Sequence, residues 1–141
     1  MGFLKWLASN PEDSEETQLD LLSSSKPVRN RVDGRLVRKD FERSIDEAGG
    51  SKAAYAISTE RMTRELFDCG TKALYSSTGG KPRDRSSLPH EAQKAYIVGE
   101  TAATHDLKAM GQATGDAYER DAQIVESVSR SSRKARKLFP W

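Results

Sequence analysis

The side chains that most often carry catalytic or metal chemistry are few and widely separated in this sequence. His90 and His105 are the two histidines, and their spacing does not match that of paired metal ligands on a helix. Cys69 is the single cysteine, and we expect it to serve as a small buried side chain. Glu91 and Glu100 would lie about 13 Å apart along one helix, too far to act on one atom. We therefore predict no enzymatic activity, no cofactor and no bound metal ion.

The loop Thr78-Gly79-Gly80-Lys81 is similar to a phosphate-binding loop only in its Gly-Gly-Lys step. The earlier glycine of that motif and the Ser or Thr that follows its lysine are both missing. We interpret the segment as a flexible connector between helices.

Three clusters of basic side chains are the strongest chemical signal in the sequence. They are Arg29, Arg31, Arg35, Arg38 and Lys39; then Lys81, Arg83 and Arg85; and finally Arg130, Arg133, Lys134, Arg136 and Lys137. Basic side chains on loops and chain ends can follow a phosphate backbone. No base-recognition motif accompanies them, so we predict nucleic-acid binding that is independent of base sequence and strongly weakened by salt. Association with a larger nucleic-acid machine would use the same clusters.

Aromatic side chains at both ends of the chain support an alternative function. Phe3 and Trp6 lie near the start, and Phe139 and Trp141 lie at the end. Trp and Arg dominate the energetics of many protein interfaces. If these aromatics are exposed, the chain is predicted to be an adaptor that docks on a protein partner. If they are buried, they belong to the fold.

Charge is unevenly distributed along the 141 residues, although 23 basic residues nearly balance 21 acidic ones. Residues 1 to 20 hold one lysine against five acidic residues, and the final 12 residues hold five basic residues and no acidic one. We predict that residues 1 to 34 form an acidic, partly disordered arm and linker, followed by a helical domain over residues 35 to 141.

The composition of the chain indicates its cellular compartment and the size of its hydrophobic core. The single cysteine and the lack of a secretory signal or a long apolar stretch predict a cytoplasmic protein without stable membrane insertion. The segment "GFLKWL" could still lie on a membrane surface, although the acidic run at 12 to 16 would be repelled by anionic lipid. Leu, Ile, Val and Phe make up 25 of the 141 residues, so the predicted core is small. A homodimer that completes this core is an alternative consistent with the composition.

Apolar residues that recur every three or four positions predict an all-α fold, a small helical bundle with a flexible N-terminal arm. Helices are expected at about 35 to 48, 59 to 76, 88 to 110 and 116 to 138, with a bend near Cys69-Gly70. The Asp33-Gly34 step also permits a β-hairpin over 28 to 38 in place of the first helix start. The helix at 88 to 110 has a face of small residues, including Ala95, Gly99 and Ala103. We therefore expect it to be central in the bundle.

The stretch "LYSSTGGKPRDRSSLPHEAQKAYIVGETAATHDLK" carries a family resemblance. Residues 74 to 137 resemble the C-terminal helical region of phage antirepressors of the BRO type and of the bacterial damage-inducible protein D. Shared features are a Leu-Tyr step, a Gly- and Lys-containing loop, a helix similar to "GETAATH" and a last helix with a basic end.

That resemblance implies a helical module in a DNA-associated phage or damage-response setting, with dimerisation as one of its properties. This chain departs from those families because an acidic arm and a basic helix stand where they carry a winged-helix-like domain. Sequence-specific DNA recognition is therefore not expected. No residue of those families is assigned a role in this chain.

Overall fold

The computed structural model describes residues 2 to 9 and 26 to 141, with the backbone alone at 26 to 33. The described residues contain no β-strand and form six α-helices. These are α1 (Phe3–Ser9), α2 (Lys26–Glu47), α3 (Lys52–Phe67), α4 (Thr71–Thr78), α5 (His90–Met110) and α6 (Ala117–Arg136), and a 3-10 turn at Arg85–Ser87 precedes α5. The predicted all-α bundle is confirmed. Residues 10 to 25, which are 16 of the 34 residues of the predicted acidic arm and linker, lie outside the described residues.

Helix α2 begins earlier than the sequence predicted, at Lys26 instead of about residue 35. The alternative of a hairpin over 28 to 38 is wrong, because the same residues are helical. Pro27 is in the first turn, where no amide hydrogen is needed, and Gly34 costs the helix only about 1 kcal/mol relative to alanine. Proline and glycine often end a helix, but α2 tolerates both at these positions.

The predicted break near Cys69-Gly70 is confirmed and separates α3 from α4. Asp68 ends α3 in the left-handed region, with φ 57°, and its amide donates to Arg64 O. The Glu60 carboxylate then accepts from Thr71 Oγ1 at 2.6 Å and from the Thr71 amide at 3.3 Å. A side chain from α3 therefore satisfies the first amide of α4 and fixes the angle between the two helices.

Helix α5 lies at the centre of the bundle, in contact with α2, α3 and α6. Ala95, Gly99 and Ala103 are buried on its small face. A Cβ at Gly99 would lie 3.1 Å from Leu66 Cδ1 and 3.2 Å from Met62 Sδ, so only glycine permits this approach of α3 without a shift. The predicted central helix and its small face are both confirmed.

Helix α6 packs on α3 and α5 through a face with four buried serines. Asp116 caps its start by accepting from the Glu119 amide at 2.8 Å. Ser131 Oγ donates to Asp106 Oδ2 of α5 at 2.6 Å, and Ser132 Oγ donates to Val128 O at 2.7 Å. Small hydroxyl side chains allow close packing of these helices, because their hydrogen bonds are satisfied locally.

The aromatic residues of the two chain ends pack together on the core. Trp141 is 6% exposed, and its ring centroid lies 4.8 Å from that of Phe3 and 4.9 Å from that of Phe139. Its Nε1 donates to Leu66 O at 2.7 Å. Trp6 also packs on Trp141, at 5.2 Å between centroids. The structure gives these four aromatics a role in the fold, so docking through them would first require this cluster to open.

We expect Trp141→Ala to lower the free energy of unfolding by about 3 to 5 kcal/mol, because it removes a buried indole and its hydrogen bond. Urea denaturation followed by circular dichroism measures the change. The matched control is Leu138→Ser at a side chain that is 74% exposed, where the change should stay within about 0.5 kcal/mol. Equal stability of Trp141→Ala and the wild type would contradict the structural role of the aromatic cluster.

Candidate functional site

Two of the predicted basic clusters meet at one cavity of about 170 Å³. Helix α2 contributes Arg35 and Arg38, and the loop before α5 contributes Arg83 and Arg85. We call this cavity the arginine pocket; its further lining residues are Gly34, Asp84, Ser86, Gln93, Tyr96, Ile97 and Glu100. A second cavity of about 270 Å³ shares four of these side chains, Arg38, Arg83, Arg85 and Tyr96. Arginines that are 45 or more positions apart in sequence thus face a common space.

A buried ion pair lies at the base of the arginine pocket. Arg85 Nη1 donates to Glu100 Oε1 at 2.5 Å, and the two side chains are 19% and 1% exposed. The Arg85 Cζ atom also lies 4.0 Å from the centroid of the Tyr96 ring, a cation–π arrangement. Tyr96 and Glu100 are four residues apart on one face of α5. The pair therefore holds the loop against the central helix.

Burial and the ion pair act in opposite directions on the charge of Glu100. Burial raises the pKa of the Glu100 carboxyl, and the Arg85 guanidinium offsets part of that rise. Burial lowers the pKa of Arg85, but the attraction of Glu100 outweighs it and the net direction is up. Glu100 Oε2 has no hydrogen-bond partner among the described residues. The pair is thus strongly coupled, and each charge depends on the other.

Three tyrosines surround the arginines. The Tyr96 hydroxyl shares a hydrogen bond of 2.6 Å with Thr63 Oγ1 of α3. Burial raises the pKa of Tyr96, Tyr55 and Tyr75, while the Arg85 charge lowers it by a smaller amount in each case. Their hydroxyls therefore stay protonated near neutral pH, where they can donate hydrogen bonds.

The loop that carries Arg83 and Arg85 is held by internal hydrogen bonds, which differs from the flexible connector expected. The Asp84 amide donates to Lys81 O at 3.1 Å and closes a turn. The Lys81 amide donates to Ser87 Oγ at 2.8 Å, and Ser87 Oγ donates to Asp84 O at 2.5 Å. Arg83 has φ 67°, a left-handed conformation that favours glycine. Backbone geometry fixes where the Arg83 side chain begins.

The third predicted basic cluster is divided between structural and exposed side chains. Arg133 lies 3.4 Å from Glu65 Oε1 and 3.6 Å from Glu126 Oε1, and Arg136 lies 2.9 Å from Asp68 Oδ2. The hydrogen bond from Arg136 lowers the pKa of Asp68. Arg133 and Arg136 thus help attach α6 to α3. The remaining members are exposed: Arg130, Lys134 and Lys137.

The other predicted basic residues fall into two groups. Lys39 and Lys81 are exposed, and neither lines the arginine pocket. The side chains of Arg29 and Arg31 lie outside the described residues. The structure therefore brings Arg35, Arg38, Arg83 and Arg85 together, and none of the other predicted basic residues whose side chains are described lines this cavity.

Sequence reasoning missed the parts of the site that are not basic. It considered Glu100 as half of a carboxylate pair with Glu91, and it gave Tyr96 no role in a site. A usable signal was present, because a glutamate four residues after a core tyrosine falls on the buried face of a helix. A buried carboxylate requires a cation, and the nearby loop contains arginines.

The assignment of a function to this chain rests on the geometry of the arginine pocket. No family model, curated protein or solved structure matches this chain. Within residues 2 to 9 and 26 to 141, no group of three His, Cys, Asp or Glu side chains could hold a metal ion. None of the helices in that part of the chain is long and apolar enough to span a membrane.

We expect Arg85→Met to lower the free energy of unfolding by about 3 to 5 kcal/mol near neutral pH, because Glu100 is left buried without its cation. Loss of Arg85 raises the pKa of Glu100 further. A carboxyl with a raised folded-state pKa contributes stability that is present at low pH and lost as pH rises through that pKa. The deficit of Arg85→Met should therefore shrink as pH falls toward 4.5, the ordinary value for Glu.

Urea denaturation across this pH range measures the effect. The double variant Arg85→Met with Glu100→Gln is the control, since it removes both charges and should recover part of the loss with little pH dependence. A deficit in Arg85→Met that does not change with pH would show that the pair is not the source of the instability.

Proposed function

We propose that this chain is a non-enzymatic protein that binds nucleic acid through the phosphate backbone without reading base sequence. The observation that carries the proposal is that Arg35 and Arg38 of α2 line one cavity with Arg83 and Arg85 of a distant loop. A guanidinium presents a planar fork of donors that matches two phosphate oxygens. Arginines that converge on one space are therefore suited to an anion with several oxygens.

Three of these arginines are available to a ligand. Arg35 and Arg83 are exposed and Arg38 is half-buried. Among the described side chains, no carboxylate lies within ion-pair distance of any of the three, whereas Arg85, Arg133 and Arg136 each have one. Unpaired arginines retain their charge for a partner, and binding releases counterions from the nucleic acid.

The resemblance of residues 74 to 137 to a helical region of phage antirepressors and damage-inducible protein D supports a DNA-associated setting. The loop with Arg83 and Arg85 and the α5 face with Tyr96 and Glu100 fall within the stretch that carries this resemblance. We also propose that the chain attaches to a nucleic-acid machine, forms a homodimer and is located in the cytoplasm. The adaptor alternative has less support, because its aromatic residues pack on one another.

We expect the triple variant Arg35→Gln, Arg38→Gln and Arg83→Gly to bind duplex DNA more weakly than the wild type at low salt. Three lost phosphate contacts should reduce the slope of log affinity against log salt by about 2 to 3. Fluorescence anisotropy of labelled duplexes of two unrelated base sequences measures both quantities, and both sequences should give the same result.

The matched control removes three exposed positive charges outside the pocket, with Arg61→Gln, Lys72→Gln and Lys108→Gln. It has the same net charge as the triple variant and should keep most of the affinity and of the salt slope. No measurable binding of wild-type protein at low salt would reject the proposed function. Equal losses in the two triple variants would reject the arginine pocket as its site.

A further inference from the structure

The size of the arginine pocket limits what can enter it. Its volume of about 170 Å³ is smaller than the range of about 300 to 1,000 Å³ typical of sites for whole small molecules. The pocket itself accommodates a phosphoryl group with its oxygens. The cavity thus suits one group that projects from a larger ligand.

The charge of the pocket points to a dianion. Among the described side chains, four arginines and the two carboxylates of Asp84 and Glu100 line it, and their charges sum to +2. Glu100 is paired with Arg85 at 2.5 Å, and Asp84 Oδ1 accepts from the Ser86 amide at 3.1 Å. A phosphomonoester carries a charge of about −1.5 to −2 at neutral pH, whereas a phosphodiester inside a strand carries one negative charge. The lining charge therefore matches a terminal phosphate better than an internal one.

The backbone at Arg83 is an independent observation at this site. Lys81 to Asp84 form a closed turn, and its third residue has φ 67°. Glycine or asparagine normally occupies that position, since a side chain there is strained. Strain of this kind concentrates at ligand sites. Arg83 occupies a position that favours glycine, and its side chain lines both neighbouring cavities. A charged side chain at this strained position indicates a role in binding.

The floor of the pocket is fixed before any ligand arrives. Arg85 is held by Glu100 and by the face of Tyr96, and Tyr96 is held in turn by Thr63 of α3. Arg35 and Arg38 project from α2, which packs on α5. Because α2 and the hydrogen-bonded loop fix where the three ligand side chains begin, binding has to order those side chains but not the backbone that carries them.

We propose that the arginine pocket binds the terminal phosphomonoester of a nucleic-acid strand, with Arg35, Arg38 and Arg83 as its ligands and Arg85 as the residue that positions the loop. This inference rests on the proposed function and narrows it to strand ends. Internal phosphates bind along the surrounding surface, and the end phosphate enters the cavity.

Three single-stranded oligonucleotides of one base sequence with an internal fluorescent label test the proposal: one with a 5′-phosphate, one with a 3′-phosphate and one with hydroxyls at both ends. We expect wild-type protein to bind one phosphorylated form about tenfold more tightly than the hydroxyl form, since charge-assisted hydrogen bonds contribute about that much. Which form is preferred identifies the end that is recognised. Inorganic phosphate should compete for the arginine pocket and reduce this preference. It should not change the salt-dependent binding that all three oligonucleotides share.

The variant Arg83→Gly separates ligand binding from folding, because glycine suits φ 67° and the turn should be at least as stable as in the wild type. We expect it to lose most of the tenfold preference and to unfold at the same or a higher urea concentration. Arg61→Gln removes an exposed charge on α3 that does not line the arginine pocket, and this variant should retain the preference.

Equal affinity for the phosphorylated and hydroxyl forms would overturn the end-binding inference and leave the proposed function intact, provided that all three oligonucleotides bind. Failure of all three to bind at low salt would overturn the end-binding inference, and failure of duplex DNA to bind as well would reject the proposed function. Retention of the full preference by Arg83→Gly would overturn the assignment of the pocket.

Discussion

The contact between Arg85 and Glu100 is the interaction on which the candidate site depends. Glu100 is buried on the central helix, where a carboxylate without a cation would be strongly unfavourable. Its partner comes from the loop before the helix, so burial of the carboxylate determines where that loop lies. Arg83, two residues away, is then placed beside the arginines of α2. One buried pair therefore connects the interior of the bundle to the charge on its surface.

The same central helix explains why the pair can be buried at all. Gly99 lets Leu66 and Met62 of α3 pack directly against α5, one residue before Glu100. Tyr96 covers the guanidinium and is itself tied to Thr63. The Phe67 ring contacts both Tyr96 and Trp141, and Trp141 closes the contact of the two chain ends with α3. Polar and aromatic contacts thus supplement a core that contains few aliphatic side chains.

Sequence reasoning predicted those features that depend on local periodicity. The repeat of small and apolar residues located α5, and the glycine after Cys69 located the break between α3 and α4. It was wrong at the start of α2, because Pro27 in the first turn and Gly34 further along are both compatible with a helix. The pairing of Arg85 with Glu100 spans a loop and 15 residues, and the approach of Arg35 to Arg83 depends on the packing of α2. The spacing from Tyr96 indicates that Glu100 is buried, but the choice of Arg85 as its partner and the approach of α2 depend on tertiary packing, which has no sequence period.

The central claim is that two basic clusters from separate elements form one anion site. Titration of isotope-labelled protein with a 5′-phosphorylated oligonucleotide, followed by the amide and arginine side-chain resonances in NMR spectra, tests it most directly. The account predicts that signals of Arg35, Arg38 and residues 81 to 86 shift together along a single binding curve. Shifts confined to residues 130 to 137, or separate curves for α2 and the loop, would contradict it.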